Sequence, residues 1–293
     1  MKKLKYSAEK NNKAWLYLAP ALISILVFSV YPLIRTFVMS MQNNNILTPS
    51  FVGFSNFPIV LKDPLFKRAM INTLIYAVTV VPLSIIIAML IALVLNTNIK
   101  GGKFFETLFF IPYLTSVIAI GIVFRYLFHG QYGFINYLLG FVGLGPIDFL
   151  NNPDYNMTAL IIFGVWNALA FNIIVILAGL RSIDKNYYKV AEMFGASSWE
   201  QFRKITLPQL KSIITFLFLT SFITAFKVYN SIFALFNGRA GVGNRLVTAV
   251  FYIYNKFYVE YRYGQAMAAG VILFLFLLLL TFLQKKAIER LAK

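Results

Sequence analysis

Residues 184–208 read DKNYYKVAEMFGASSWEQFRKITLP, a polar island of 25 residues between two long apolar runs. Its first ten or so residues contain no Pro or Gly until Gly195, and Tyr187, Val190, Ala191 and Phe194 recur at i, i+3, i+4 and i+7, the spacing of one helical face. Gly195 is placed to end that helix as a left-handed C-cap. Ser197 or Ser198 can cap a second helix, with Glu200 or Gln201 three residues on as reciprocal partner. Pro208 falls in a first-turn position, where proline is tolerated. The stretch predicts helix, sharp turn, short helix, then entry into an apolar segment. Such a unit either lies along a membrane surface or offers Trp199 and Phe202 as aromatic knobs to a cleft on a partner, where Trp and Tyr often dominate binding energy. The short second helix and compact knobs favour the cleft.

The rest of the chain explains why this island stands out. Of 293 residues, 59% are hydrophobic and only 13% charged, with mean hydropathy +0.73; a soluble domain carries about 25% charge. There is no Cys, which excludes thiol chemistry, and His129 is the only His, so no His-based metal cluster can be built. His129 reads as an interfacial polar residue. The net charge of +17 suggests either nucleic-acid binding or the positive-inside bias of membrane proteins.

Placing the charges decides between these. A spanning helix needs about 20 apolar residues, and six stretches qualify: 14–39, 69–95, 104–127, 157–180, 207–236 and 264–284. The first is too long, and lacks the small-residue site, for a cleavable signal peptide. The N-terminal tail, the second connection, the fourth connection with the first turn of the span after it, and the C-terminal tail together hold 17 of the 27 Lys and Arg, while residues 128–156 hold none. Lys62, Lys67 and Arg68, and Arg239, Arg245, Lys256 and Arg262, occupy the other two outer connections. The bias predicts six spans with both termini and residues 184–208 cytoplasmic, and no nucleic-acid partner.

Tyr31-Pro32 and Pro82 are expected to kink their spans, Arg125 to snorkel, and residues 134–141 to lie along the membrane surface. The basic tail 1–13 is expected to be mobile. Polar residues inside spans line a pathway or bond a neighbouring helix; Asn167 and Asn172 in the fourth, and Thr220, Ser221, Thr224 and Lys227 in the fifth, are the cluster. Lys227 is either a functional charge or a snorkelling one. The glycine-rich NGRAGVGN at 237–244 lacks the Lys-Ser/Thr ending of a phosphate loop and reads as a turn. No Walker motif occurs, so ATP, if used, is bound by another chain. No catalytic constellation is present. A secondary transporter would be expected to show deep carboxylates or an internal repeat, whereas Glu106 lies near the cytoplasmic start of its span.

The island also resembles the cytoplasmic EAA loop of permease subunits of binding-protein-dependent ABC transporters. That pattern runs Glu-Ala-Ala-x-x-Asp-Gly-Ala, then Ile-x-Leu-Pro nine residues on. Here Lys189, Val190, Ala191, Phe194, Gly195 and Ala196 match it in position, followed by Ile205, Leu207 and Pro208; Lys189 and Phe194 replace the two acidic residues. Ala19-Pro20, Tyr31-Pro32, Phe51-Val52-Gly53 with Asn56-Phe57, Asn72-Thr73-Leu74, Pro112-Tyr113, Gly133 with Asn136-Tyr137, Leu177-Ala178-Gly179-Leu180 and Phe226-Lys227-Val228 resemble the carbohydrate-type subfamily in the same order. The resemblance covers nearly the whole chain.

It implies an all-α integral membrane protein, a single type I importer permease domain over residues 1–293, in the cytoplasmic membrane of a bacterium. Implied partners are a second homologous permease, two ATP-binding cassette ATPases, an extracellular binding protein, membrane lipid and a carbohydrate cargo. A polyol or glycerol phosphate is the alternative cargo. The chain itself is expected to be no enzyme and to hold no cofactor, ATP being bound by the ATPases. Tyr188, Lys189, Ala191, Glu192, Phe194, Gly195, Ala196 and Trp199 are the expected ATPase contacts, with Glu192 standing in for the missing carboxylate. Ser221, Thr224, Ala225 and Val228, with Asn167 and Phe171, are the expected cargo pathway. Phe171 either faces a sugar ring or packs on a neighbouring helix.

Overall fold

The computed structural model describes residues 12–97 and 100–292. Residues 1–11 of the tail expected to be mobile, with Lys2, Lys3, Lys5 and Lys10, lie outside the described residues, as do Asn98, Ile99 and Lys293, while Asn12 and Lys13 begin a helix. The described residues are helical apart from turns and one isolated bridge, Gln42 with Phe51.

The first span is α1 (Asn12–Ile25) and α2 (Tyr31–Ser40), joined through a π-helical turn at Leu26–Val30. The wider turn stands directly before Pro32, whose missing N–H and bulky ring would otherwise break the ladder. After α3 (Asn56–Lys62) comes α4 (Pro64–Asn96), capped by Asp63 and unbroken through Pro82. The third span is not one helix: α5 (Gly102–Leu114) and α6 (Val117–Leu127) meet at 105°. Thr115 is extended at the break, and its hydroxyl donates to the Ile111 carbonyl (3.1 Å), a bond its own amide would make in a continuing helix.

Helix α7 (Phe134–Phe141) is the short stretch expected from sequence, and α8 (Asn156–Ser182) is the fourth span. The island forms α9 (Lys185–Met193) and α10 (Ser198–Gln201), continues through a π-helical stretch at Phe202–Thr206 into α11 (Leu207–Gln209), and bends 61° at Leu210 into α12 (Lys211–Phe226). The expected fifth span is thus cut at both ends. It bends on entry, and it breaks at Lys227–Tyr229 before α13 (Asn230–Leu235). The next connection was read as an outer loop carrying solvated charges. It is structured and packed: α14 (Ala249–Tyr254) and the π-helical Asn255–Val259 lie against the helical core, with Leu246, Val247, Phe251 and Tyr252 buried. The apolar run LVTAVFYIY is the reason: left outside, it would expose too much oily surface. The last span is α15 (Tyr263–Ala292).

Helices α4 and α8 form the central pair, with α12, α14 and α5 around them, α13 on α6, and α2 and α3 on α15. Their contact sites need small residues: a methyl on Gly179 would collide with Ile213, and one on Gly121 with Ala234. Four asparagines tie the irregular segments down. Asn56 donates to the Ser40 and Gln42 carbonyls (2.9 and 2.7 Å), Asn72 to Arg245 and Val247 (2.7 and 2.8 Å), Asn136 to His129, Gly130 and Ile147, and Asn156 to Phe149 and Leu150. Away from water every backbone carbonyl needs a donor, and a two-donor amide serves two at once. This accounts for three of the sequence motifs, which centre on Asn56, Asn72 and Asn136.

Candidate functional site

The break in the fifth span opens a cavity midway along the central helices. Its volume is about 540 Å³, and its walls come from α4 (Tyr76, Ser84), the α5–α6 bend (Tyr113, Thr115), α8 and the α12–α13 break. All six residues expected to form the pathway, Asn167, Phe171, Ser221, Thr224, Ala225 and Val228, line it. The i, i+3, i+4 spacings put each set on one helical face, and the packing turns those faces toward each other. The Tyr113 ring stacks on Phe171 (5.9 Å between centroids, 22°) and covers one face. Thr220 and Thr224 spend their hydroxyl hydrogens on carbonyls one turn back (2.8 and 3.0 Å), and Asn172 donates to Ser84 (3.1 Å). The Val228 carbonyl, freed by the break, accepts from Thr248 (2.9 Å). Lys227 ends α12 with its side chain exposed toward the cavity and forms no ion pair among the described residues. The wall is therefore mixed: aromatic and aliphatic faces, hydroxyls, an amide and one cation. That suits a polar ligand with flat apolar faces.

The second surface is the island. Gly195, at φ +76°, ends α9: the Ala196 amide bonds the Ala191 carbonyl (3.0 Å) and the Gly195 amide bonds Glu192 (2.9 Å), a Schellman closure. Of the alternatives left open by sequence, Ser197 and Glu200 make the capping box, their amides meeting Glu200 and Ser197 side-chain oxygens at 3.0 and 3.3 Å. The Ser197 amide and then Lys204 hold the Glu200 carboxyl below its ordinary range. Trp199 stacks on Phe202 (5.6 Å, 28°). No residue of α9 is buried; Met193 and Phe194 are 85% and 86% exposed. The apolar face at Tyr187, Val190 and Phe194 thus points away from the chain, with Lys189, Glu192 and Trp199 also exposed. Tyr188 differs from expectation. It turns inward, its hydroxyl 2.8 Å from that of Thr206, and anchors the unit. Ala191 and Ala196 are half-buried. Glu106 and Arg181, read separately from sequence, form an ion pair at this end.

Sequence reasoning missed a third feature, at the opposite end. Lys256, counted as an outer-loop charge, is buried. It bridges Asp63 (3.4 Å) and Glu260 (2.8 Å) and lies 5.3 Å from the centre of the Tyr252 ring, whose hydroxyl donates to Asp63 (2.8 Å). Burial works against the Asp63 carboxylate, but the Tyr252 hydroxyl, the Leu65 amide and Lys256 outweigh it, so its pKa falls below the ordinary value. The apolar run leading into Lys256 was the available signal.

The family model described as "Binding-protein-dependent transport system inner membrane component" matches residues 65–293. The chain is 32% identical to the lactose transport system permease protein LacF of Rhizobium radiobacter, over 92% of each chain. It is also 32% identical to the arabinooligosaccharides transport system permease protein AraP of Bacillus subtilis, over 94% of this chain and 88% of that one. A bacterial alginate ABC transporter, solved with a periplasmic protein bound to alginate pentasaccharide, contains a chain of the same fold: TM-score 0.83, 23% identity, 100% and 99% coverage.

Proposed function

The chain belongs to the binding-protein-dependent transport system inner membrane components, and from that premise we propose that it carries a carbohydrate through the α4–α8–α12 cavity in an ATP-driven importer. It is a multi-pass membrane subunit of an ABC transporter and not the ATPase. One observation carries the cargo reading. Two helical faces and a helix break meet in one cavity that has both stacking surfaces and hydroxyl and amide groups. Discontinuous helices are a recurrent way to build midplane binding sites. Relatives named for lactose and arabinooligosaccharide transport support a sugar over a polyol or glycerol phosphate. Lys227 would suit an anionic or hydroxyl-rich group.

The ATP is hydrolysed by separate cassette subunits, which dock on α9, the Gly195 turn and α10. The outward apolar face and the Trp199–Phe202 pair supply the grip. Lys189 and Phe194 replace the family's acidic residues, so shape and ring packing carry more of this contact than charge. The first span has no buried residue in its apolar window: only its α2 half packs on α15, and the rest needs cover, which lipid and a second permease provide. The Lys and Arg bias supports a cytosolic island with both termini on that side, and the bacterial relatives support a bacterial cytoplasmic membrane, with the binding protein delivering cargo at the opposite face. The test is reconstitution of the permease pair, ATPases and binding protein in proteoliposomes. Sugar-loaded binding protein should raise ATP hydrolysis and drive sugar into the vesicles; stimulation by a loaded polyol in its place would move the cargo to that alternative.

A further inference from the structure

The cavity does not end at the helix break. Tyr229, on its wall, is the first of a run of rings that continues to the end of the bundle opposite the island. Tyr229 meets Tyr254 at 4.9 Å between centroids, Tyr254 meets Tyr258 at 5.0 Å, Tyr258 meets Phe257 at 4.8 Å, Phe257 meets Tyr263 at 4.9 Å, and Tyr263 meets Tyr261 at 6.3 Å. None of the six is buried, and Tyr258 and Tyr261 are 61% and 64% exposed. The run ends at a shallow hollow of about 580 Å³ lined by Asn43, Asn44, Asn45, Ile46, Leu47, Tyr261 and Tyr263. The Nδ2 groups of Asn44 and Asn45 make no hydrogen bond among the described residues, while their Oδ1 atoms accept from Gln265, and from Leu47 and Thr48. Tyr261 holds φ +57°, an uncommon conformation for a residue other than glycine. The bonds from Glu260 to Asn255 and from Arg262 to Lys256 fix the backbone on both sides of it. Strain of this kind concentrates at sites of function.

We propose that this run is an extended glycan track: successive rings stack on the apolar faces of consecutive sugar units, the Asn44 and Asn45 amides bond their hydroxyls at the entrance, and the chain is fed end-on past Tyr229 into the cavity. A Tyr offers both a flat apolar face and a hydroxyl, the pairing a sugar presents in return. The occupant is an oligosaccharide of several units, since a monosaccharide engages only one ring at a time. The inference rests on the carbohydrate reading of the cavity and extends it to chain length.

The test uses the complete reconstituted transporter with its binding protein. From lactose, arabino-oligosaccharides and malto-oligosaccharides, a series that the wild type takes up is chosen and followed from its shortest to its longest member. The variants are Tyr254→Leu and Tyr258→Leu, which keep apolar bulk and lose the flat face, and Tyr258→Phe, which keeps it. Each Leu substitution should cut uptake of the longer chains by about threefold to tenfold, with the shortest sugar within about twofold of wild type and Tyr258→Phe close to wild type. An equal loss at every chain length would make the rings an interfacial anchoring belt and overturn the track, as would unchanged uptake. Absence of uptake of any glycan by the wild type removes the carbohydrate premise itself, and the track with it.

Discussion

The Gly195 turn allows a graded test, because its backbone and its surroundings have separable effects. The residue sits at φ +76°, and a Cβ added there meets no atom within 4 Å. Substitution therefore strains the backbone without a clash. An L-residue with a Cβ loses about 1–2 kcal/mol in the left-handed region, Asn loses less, and a β-branched residue more. Proline fixes φ near −65° and also removes the amide that bonds Glu192. The turn is exposed and held by few contacts, so the strain loosens α9 and α10 locally and leaves the membrane core intact. If the ATPase grips the ordered turn, that cost subtracts from its affinity, a factor of about 5–30 for Gly195→Ala. Titrating purified ATPase onto the permease in nanodiscs measures this directly. The expected order of affinity is wild type, Gly195→Asn, Gly195→Ala, Gly195→Val, Gly195→Pro, with coupled transport falling in the same order. Equal affinity across the series, or Asn weaker than Val, refutes the reasoning.

Other consequences follow from the same contacts. Ser221→Trp fills the cavity between α8 and α12, so uptake should fall to background while the complex still assembles on size exclusion. Glu192→Lys places a second cation beside Lys189 on the outward face and should lower ATPase co-purification; an unchanged yield removes Glu192 from the contact. Lys256→Met leaves Asp63 and Glu260 facing each other and should cost about 1–3 kcal/mol, read as a lower Tm, less than for a fully buried pair because both carboxylates keep some solvent contact. The same network gives a pH dependence. The Asp63 pKa in the folded chain lies below the ordinary value of about 3.9, so its contribution is complete above that pH and is lost as pH falls through the folded value. Wild-type Tm should therefore drop on acidification below about pH 4, and the drop should be smaller in Asp63→Asn.

The features legible in the sequence were those set by local pattern. Gly195, the serine cap and the i, i+3, i+4 faces of α8 and α12 depend on neighbours in the chain, and the structure has them as expected. The breaks were hidden. The hydropathy of residues 104–127 and 207–236 is continuous; Pro112 marks the neighbourhood of the 105° bend at Thr115–Ser116 but does not specify it, since Pro82 sits inside an unbroken helix, and nothing local marks the break after Lys227. Both depend on distant donors or side-chain bonds that satisfy freed carbonyls, such as Thr248 on Val228. The buried role of Lys256 was hidden for a related reason: counting charges by segment treats every cation between spans as solvated, and only the fold brings Asp63 to it across 193 residues of sequence. Tyr188 points inward because Thr206, on the other side of the Gly195 turn, offers it a partner.

The central claim is that the outward face of residues 184–208 receives the ATPase while the cavity moves cargo. The chain has no native cysteine, so a single one reports cleanly. With Phe194→Cys in the assembled transporter, a short bifunctional crosslinker should join this chain to the ATPase subunit and arrest transport. Tyr261→Cys, at the opposite end, should give no such product. A crosslink from Tyr261→Cys to the ATPase, or none from Phe194→Cys in a transporter that still imports sugar, would contradict the account.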